Sequence, residues 1–158
     1  MEINSDFRDL LRTFVDGGVR FLIVGAYAVM HHTVPRYTKD LDLWVEPTGA
    51  NATRVLRALA AFGAPIGGLT VDDLSSPDIV YQIGVAPVRV DILTGVGGLS
   101  FRAAYGHAIR TSYGGVPVRV LSFEDIILAK QATKRPQDRL DLRRLLATRK
   151  RGQPRRRQ

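Results

Sequence analysis

Hydrophobic residues at the start of the chain follow helical spacing first and strand-like runs afterwards. Large apolar side chains recur at helical spacing from Ser5 to Val15, and Asn4 or Ser5 can cap the start of that helix. The short apolar run RFLIVGA predicts a buried strand that reaches Gly25, and AYAVMHH predicts a short helix after the turn. The chain therefore opens as helix, strand and helix.

The remainder of the chain continues this mixture of elements. TKDLDLWVEP alternates polar and apolar residues and predicts a strand, whereas ATRVLRALAAFG predicts a helix that ends at Gly63. DIVYQIG and PVRVDIL predict a hairpin, and two short strands are expected around Gly114-Gly115. Helices are predicted from Ser122 and from Pro136, while residues 64–77 and GVGGLS are predicted to be loops. The expected fold is α/β (α+β), a mixed sheet flanked by helices, with two C-terminal helices.

Length and composition indicate a small protein and exclude cysteine-based chemistry. A chain of 158 residues suits one domain, and the absence of cysteine excludes disulfides, thiolate zinc sites and cysteine nucleophiles. No apolar run is long enough to cross a bilayer, and the N-terminal residues lack the plan of a signal peptide. We therefore expect a cytoplasmic protein with no membrane partner.

The net charge of +8 is concentrated at one end of the chain. Residues 143–158 contain eight basic residues and no acidic one, so the preceding residues carry equal numbers of acids and bases. Such a block repels itself and attracts polyanions. We predict that residues 1–150 form a single domain and that 151–158 form a disordered basic tail, which is either a contact for RNA or an extension without function.

Candidate chemistry begins with two carboxylates on one predicted strand. Asp40 and Asp42 alternate with Leu41 and Leu43, so the two acids share one face and the two leucines face the core. Their mutual repulsion is relieved by a bound cation, and Mg²⁺ is commonly held by one or two carboxylates together with substrate phosphates. The alternative is an edge strand that carries two solvated acids.

Two further features lie upstream and downstream of this pair. Asp91 stands between Val90 and Ile92 on a later predicted strand, as expected for a strand whose polar face lies at the same site. Gly25 ends a buried strand fifteen positions before Asp40, where a turn without a side chain would let the backbone approach a triphosphate. The order of glycine turn, paired acids and single acid is more specific than any of its parts.

This order resembles the nucleotidyltransferase superfamily that includes DNA polymerase beta-type enzymes. The match is closer to the AbiEii-like, toxin-associated nucleotidyltransferases and their small relatives, and it covers nearly the whole chain except the tail. It rests on Gly25-Ala26-Tyr27-Ala28, His31, Arg36, Thr38, Asp40, Asp42, Val90-Asp91-Ile92, Gly114, Val118, Lys130, Arg135, Asp138 and Asp141. Ala26 stands where many members have Ser or Gly, so a hydroxyl contact to phosphate is absent here.

The resemblance implies roles for several residues of the chain. Asp40, Asp42 and Asp91 would form a two-metal Mg²⁺ site, with Mn²⁺ as an alternative. The nucleotide would contact the backbone and side chains of Gly25, Ala26, Thr38, Lys39 and Lys130. Arg36, Arg135 and Asp138 would support the site, although Arg36 and Lys39 could equally neutralise the paired acids. The alternative for the C-terminal acids is a solvated helix with local pairs, such as Asp138 with Arg139 and Asp141 with Arg144.

The resulting hypothesis is a metal-dependent enzyme that moves a nucleoside monophosphate from an NTP to an acceptor hydroxyl. The basic tail favours RNA or tRNA as acceptor, and the resemblance suggests a toxin-antitoxin or phage-defence system with a cognate protein partner. Two alternatives stay open: a non-catalytic antitoxin or RNA-binding partner, and a transferase acting on small molecules such as aminoglycosides. From the sequence, Lys130→Ala is expected to weaken nucleotide binding with little effect on thermal stability.

Overall fold

Seven helices and six strands make up the described part of the chain, residues 3–34, 40–85, 88–133 and 135–152 of a computed structural model. The helices are α1 Ser5–Asp16, α2 Gly25–His32, α3 Gly49–Phe62, α4 Val71–Ser75, α5 Phe101–His107, α6 Phe123–Gln131 and α7 Pro136–Gly152. The strands are β1 Phe21–Val24, β2 Asp40–Val45, β3 Val80–Val85, β4 Val88–Leu93, β5 Ile109–Tyr113 and β6 Val116–Val120. The predicted α/β fold with two C-terminal helices is confirmed.

All six strands form one mixed sheet in the order β3-β4-β2-β1-β6-β5. The hairpins β3–β4 and β5–β6 are antiparallel, as is the pair β1–β2, whereas β2–β4 and β1–β6 are parallel. The strand with the paired acids, β2, therefore lies inside the sheet between β1 and β4. The alternative of an edge strand with two solvated acids is wrong.

The core forms where helices cover the apolar positions of this sheet. In α1 the predicted stripe is buried at Phe7, Leu10, Leu11 and Phe14, and the Asn4 side chain caps the helix by accepting from the Asp6 and Phe7 amides. On β2, Leu41 and Leu43 are fully buried, as the alternating pattern predicts. Trp44 is also buried and packs edge-on against Phe101 of α5. The strand that carries the acids is therefore held rigidly by its neighbours.

Two segments differ from the sequence-based expectation. The predicted loop at residues 64–77 contains α4, which begins with a capping box: the Thr70 hydroxyl accepts from the Asp73 amide, and the Asp73 carboxylate accepts from the Thr70 amide. Its five residues are too few for a clear periodic pattern, but the cap and the burial of Leu74 stabilise the turn. The last helix continues to Gly152, and the Arg149 guanidinium lies 4.8 Å from the centre of the Phe123 ring. Part of the basic block is therefore helical, because α7 docks on α6.

No helix within residues 3–34, 40–85, 88–133 and 135–152 combines the length and the apolar character needed to span a bilayer.

Candidate active site

Two of the three candidate acids are brought face to face by the register of the sheet. Asp42 of β2 is the direct partner of Asp91 of β4 in the parallel pairing of these strands. Side chains of partner residues project to the same face of a sheet, so the two carboxylates meet although 49 positions separate them in sequence. The two side chains are close enough to share a hydrogen bond when one of them carries a proton. Asp42 and Asp91 form the centre of the candidate site.

Asp40 lies on the same face but is engaged by an arginine. The Arg89 Nη2 donates to Asp40 Oδ2 at 2.7 Å, and Arg89 Nε lies 3.7 Å from Asp91 Oδ1. Arg89 is the strand partner of Asp40 and precedes Asp91 by two positions, so its side chain shares the acidic face. Arg89 is not among the residues predicted from sequence, although its two-residue spacing from Asp91 is a usable signal. Arg89 places a positive charge between two of the three carboxylates.

Gly25 lies directly against Asp42, at the end of β1. Its φ of +65° is in the left-handed region that favours glycine, and a Cβ added there would lie 2.8 Å from Asp42 Cγ and closer still to Oδ2. The register explains the approach, because Val24, the last residue of β1, is the partner of Asp42. The helix α2 begins at Gly25 without a hydrogen bond from a capping side chain, and the start of a helix favours an oxygen-rich, negatively charged ligand.

The surroundings of Asp42 disfavour a negative charge on its carboxyl group beside that of Asp91. Burial, the negative charges of Asp91 and Asp40, and the hydrogen bond with Asp91 raise the pKa of Asp42 to about 6, while the charge of Arg89 opposes the shift. A carboxylate in such surroundings is stabilised by a proton or by a cation. The ionised form of Asp42 would therefore be stabilised by a bound metal ion.

The site offers a pair of carboxylates to a hard divalent cation. Within the described ranges no group of three or more acidic or histidine side chains is arranged to hold a metal ion. Mg²⁺, however, often takes only one or two protein carboxylates and completes its shell with substrate phosphates and water. Asp42 and Asp91 supply such a pair, and Asp40 lies two positions along the strand in an ion pair with Arg89.

The opposite wall of the site is built by the two C-terminal helices. The Lys130 Nζ lies 2.8 Å from Asp138 Oδ1 and 3.3 Å from Asp141 Oδ2, and both acids are 2% exposed. Burial alone would raise the pKa of Asp138, but hydrogen bonds from Arg135, Lys130 and Thr133 and the charge of Lys130 lower it to about 2. The alternative of solvated local pairs is wrong, because both acids are buried against Lys130.

A cavity of about 230 Å³ connects the two walls. Gly25 and Asp42 line one side, while Lys130, Thr133 and Arg135 line the other. The ammonium of Lys130 has three donors, of which two point to Asp138 and Asp141, so one is available to a ligand in the cavity. The structure thus brings together most of the residues singled out in the sequence, from elements far apart in the chain.

The remaining sequence-predicted residues divide into two groups. Arg36, Thr38 and Lys39 lie outside the described residues. Ala26 follows Gly25 in the first turn of α2, where it offers a backbone amide and no hydroxyl.

Comparison with known proteins gives one matching family and several solved structures of similar fold. Residues 3–155 match the family DUF2204, described as a nucleotidyl transferase of unknown function. No match was found among curated proteins. The solved structure of the antibiotic-resistance factor ANT(2'')-Ia is similar at 15% identity and a TM-score of 0.59, over 91% of this chain and 82% of that one. The lincosamide antibiotic adenylyltransferase LnuA is similar at 12% identity and a TM-score of 0.60, over 94% of this chain and 99% of that one. TM1012 from Thermotoga maritima is similar at 15% identity and a TM-score of 0.55, over 94% of this chain and 92% of that one. The likeness to the three structures shows a shared fold.

Proposed function

Since the chain belongs to the DUF2204 family of nucleotidyl transferases, we propose that it moves a nucleoside monophosphate from an NTP to an acceptor hydroxyl at the site around Asp42. The observation that carries this proposal is the meeting of Asp42 and Asp91 beside the Gly25 turn, opposite Lys130. Superfamily membership, inferred from the order of glycine turn, paired acids and single acid, is confirmed by the family match.

The proposed site works mainly by positioning and charge. Asp42 and Asp91 would hold Mg²⁺, and Asp40 would join them if Arg89 moves to the incoming phosphates. The ion would neutralise the phosphates and lower the pKa of the attacking hydroxyl. Lys130 and the start of α2 would bind phosphate oxygens. Asp91 is 17% exposed and is suited by position to accept the proton of the acceptor hydroxyl.

The first test is metal-dependent nucleotide binding. Calorimetry with a non-hydrolysable NTP should show clear binding in Mg²⁺ and little or none in chelator, because the carboxylates repel the phosphates unless a cation lies between them. Repeating the titration with Mn²⁺ tests the alternative metal. Equal binding with and without metal would place the nucleotide elsewhere or exclude the carboxylates from its site.

The second test addresses the turn at Gly25. We expect Gly25→Ala to abolish nucleotide binding, because the new methyl group displaces the Asp42 carboxylate. The strain of a non-glycine residue at positive φ adds about 1–2 kcal/mol of destabilisation. Gly63→Ala is the matched control: Gly63 has a φ of +89° and an added Cβ there meets nothing within 4 Å. If both variants bind the NTP as wild type does, Gly25 has no part in the site.

The identity of the acceptor distinguishes an RNA transferase from a small-molecule transferase and from a non-catalytic partner. The experiment is incubation with each labelled NTP, Mg²⁺ and total cellular RNA, with parallel reactions that contain tobramycin or lincomycin. Similar structures are those of an adenylyltransferase bound to lincomycin and of ANT(2'')-Ia with adenylyl-2''-tobramycin, so these compounds represent the small-molecule alternative. Label in RNA or in the drugs supports transfer and identifies the acceptor as RNA or as a small molecule, whereas nucleotide binding without transfer supports a non-catalytic partner. A cognate toxin or antitoxin stays a prediction, to be tested by co-expression with neighbouring genes.

A further inference from the structure

A second, larger cavity lies at the opposite end of the central strands. It has a volume of about 480 Å³ and is bounded by the end of α1, the start of β1, α5 and the hairpin β5–β6. Three arginines, Arg20, Arg110 and Arg119, line it together with Tyr105, and no acidic side chain is among its lining residues in the described structure. Its size is that of a site for a nucleotide or a similar ligand.

Two of these arginines are directly opposed across the hairpin. Arg110 and Arg119 are register partners in the antiparallel pair β5–β6, so their side chains project to the same face. Like charges in this arrangement destabilise a sheet, and within the described ranges neither guanidinium lies in an ion pair. Arg20 is 55% exposed and lies 3.7 Å from Glu46, a contact of the kind that contributes little to stability. Within the described residues, the pair Arg110 and Arg119 therefore carries positive charge that no ion pair offsets.

Tyr105 holds these guanidinium groups in place. Its ring centre lies 4.1 Å from Arg119 Cζ and 5.6 Å from Arg20 Cζ, and the ring stacks on Phe101 at 5.5 Å. A guanidinium that lies over an aromatic face keeps its N–H donors at the edge, where they can form paired hydrogen bonds to phosphate. Phe101 and the two guanidinium groups already contact the Tyr105 ring, so the cluster suits phosphate groups better than a base.

The position of this cavity relative to the carboxylates favours a ligand that carries a chain of phosphates. Ile23 is the partner of both Leu43 and Val120, so Arg119, which precedes Val120, projects from the same face as Asp42. Arg20 and Gly25 are five residues apart along β1, a distance of roughly 16 Å at about 3.3 Å per residue. A few nucleotides of an extended strand can bridge this distance.

We propose that the cavity formed by Arg20, Arg110, Arg119 and Tyr105, here called the arginine cleft, binds backbone phosphates of a single-stranded RNA acceptor. This inference rests on the proposed transferase function and specifies its acceptor: the RNA is held at the cleft while its terminal hydroxyl lies at Asp42 and Asp91. A cationic antibiotic would be repelled by the same surface.

The test is binding of a fluorescent single-stranded RNA to the full-length protein in chelator, without NTP, across a range of salt concentrations. We expect Arg110→Gln/Arg119→Gln to weaken binding at least tenfold and to reduce the slope of log affinity against log salt by about 1.4, the value for two lost phosphate contacts on a single strand. The melting temperature should equal or exceed that of wild type, because the opposed charges are gone.

The matched control is Arg54→Gln/Arg57→Gln, which removes the same charge from two exposed positions on α3. Equal RNA affinity in the cleft variant and wild type, or an equal loss in the control pair, would overturn the proposal. Displacement of the RNA by free triphosphate at equal phosphate concentration would assign the cleft to a nucleotide instead and would also overturn it.

Two further measurements distinguish RNA binding at the arginine cleft from nucleotide binding at the carboxylates and from RNA binding by the C-terminal arginines. The same cleft variant is titrated with a non-hydrolysable NTP in Mg²⁺: if nucleotide binding fails even in wild type while the cleft effect persists, the transferase proposal is at fault and the cleft stands. The chain ending at Gly152 keeps α7 and removes Arg155, Arg156 and Arg157. The cleft variant must weaken RNA binding tenfold in that shorter chain too; if it does not, binding belongs to the C-terminal arginines and the cleft proposal is wrong.

Discussion

Asp42→Asn is expected to abolish nucleotidyl transfer and, at neutral pH without metal, to stabilise the fold. The loss of activity should be on the order of a thousandfold or more, because the substitution removes a carboxylate from the pair that would hold the metal. The gain in stability follows from the pKa of about 6, since wild type must ionise a buried acid beside two others. A single change thus moves activity and stability in opposite directions.

The pH dependence of this stability difference has a defined sign. The pKa of Asp42 is about 6 when folded and about 4 when unfolded, so the folded state binds more protons between these values and wild-type stability falls as pH rises through that window. Well above pH 6 the full difference applies, about 3 kcal/mol for a shift of about two pKa units. The advantage of Asp42→Asn should therefore be largest at pH 7 to 8 and vanish below pH 4. Urea unfolding in chelator at several pH values measures it.

The control for this experiment is Asp16→Asn, which removes an acid exposed at the end of α1. It should leave both transfer and the shape of the stability profile unchanged. Mg²⁺ should stabilise wild type and the control but not Asp42→Asn. Transfer by Asp42→Asn at the wild-type rate would remove Asp42 from the catalytic site, whatever its effect on stability.

Lys130→Met is expected to lose both nucleotide binding and a large part of the free energy of unfolding. Removing the ammonium leaves Asp138 and Asp141 as buried acids without their shared cation, and breaking a buried pair in this way costs about 3–5 kcal/mol. This differs from the expectation drawn from sequence, which took Lys130 to matter for binding alone.

Asp138, with its pKa of about 2, contributes stability that is complete above pH 4 and is lost as pH falls toward 2.

A second variant separates the two effects of Lys130. Lys130→Met combined with Asp138→Asn and Asp141→Asn removes the cation and both buried charges together, so most of the lost stability should return. Nucleotide binding should stay weak, because the donor that faces the cavity is still missing. Chemical unfolding and calorimetry on the same samples give both quantities. If the triple variant binds NTP as wild type does, Lys130 only supports the fold; if Lys130→Met unfolds like wild type, the buried pairs contribute nothing.

Local patterns in the sequence predicted the elements and part of the site. Helical spacing in α1, the apolar run of β1 and the alternation of β2 depend on neighbours a few residues away, so they can be read without the fold. The same alternation placed Asp40 and Asp42 on one face and Leu41 and Leu43 in the core. The glycine at position 25 was recognised as a turn for the same local reason. The five-residue helix α4 was missed because it is too short to show a period.

The contacts between these elements depended on the tertiary structure. Asp42 meets Asp91 only because β2 pairs with β4 in one register, and a shift of one residue would turn Asp91 to the other face. The same register places Arg89 against Asp40, and the docking of α7 on α6 buries Asp138 and Asp141 around Lys130. The arginine cleft joins residues 20, 105, 110 and 119 through the pairing of β1 with β6 and the packing of α5. No local pattern encodes such contacts, because register and docking are set by burial over the whole sheet.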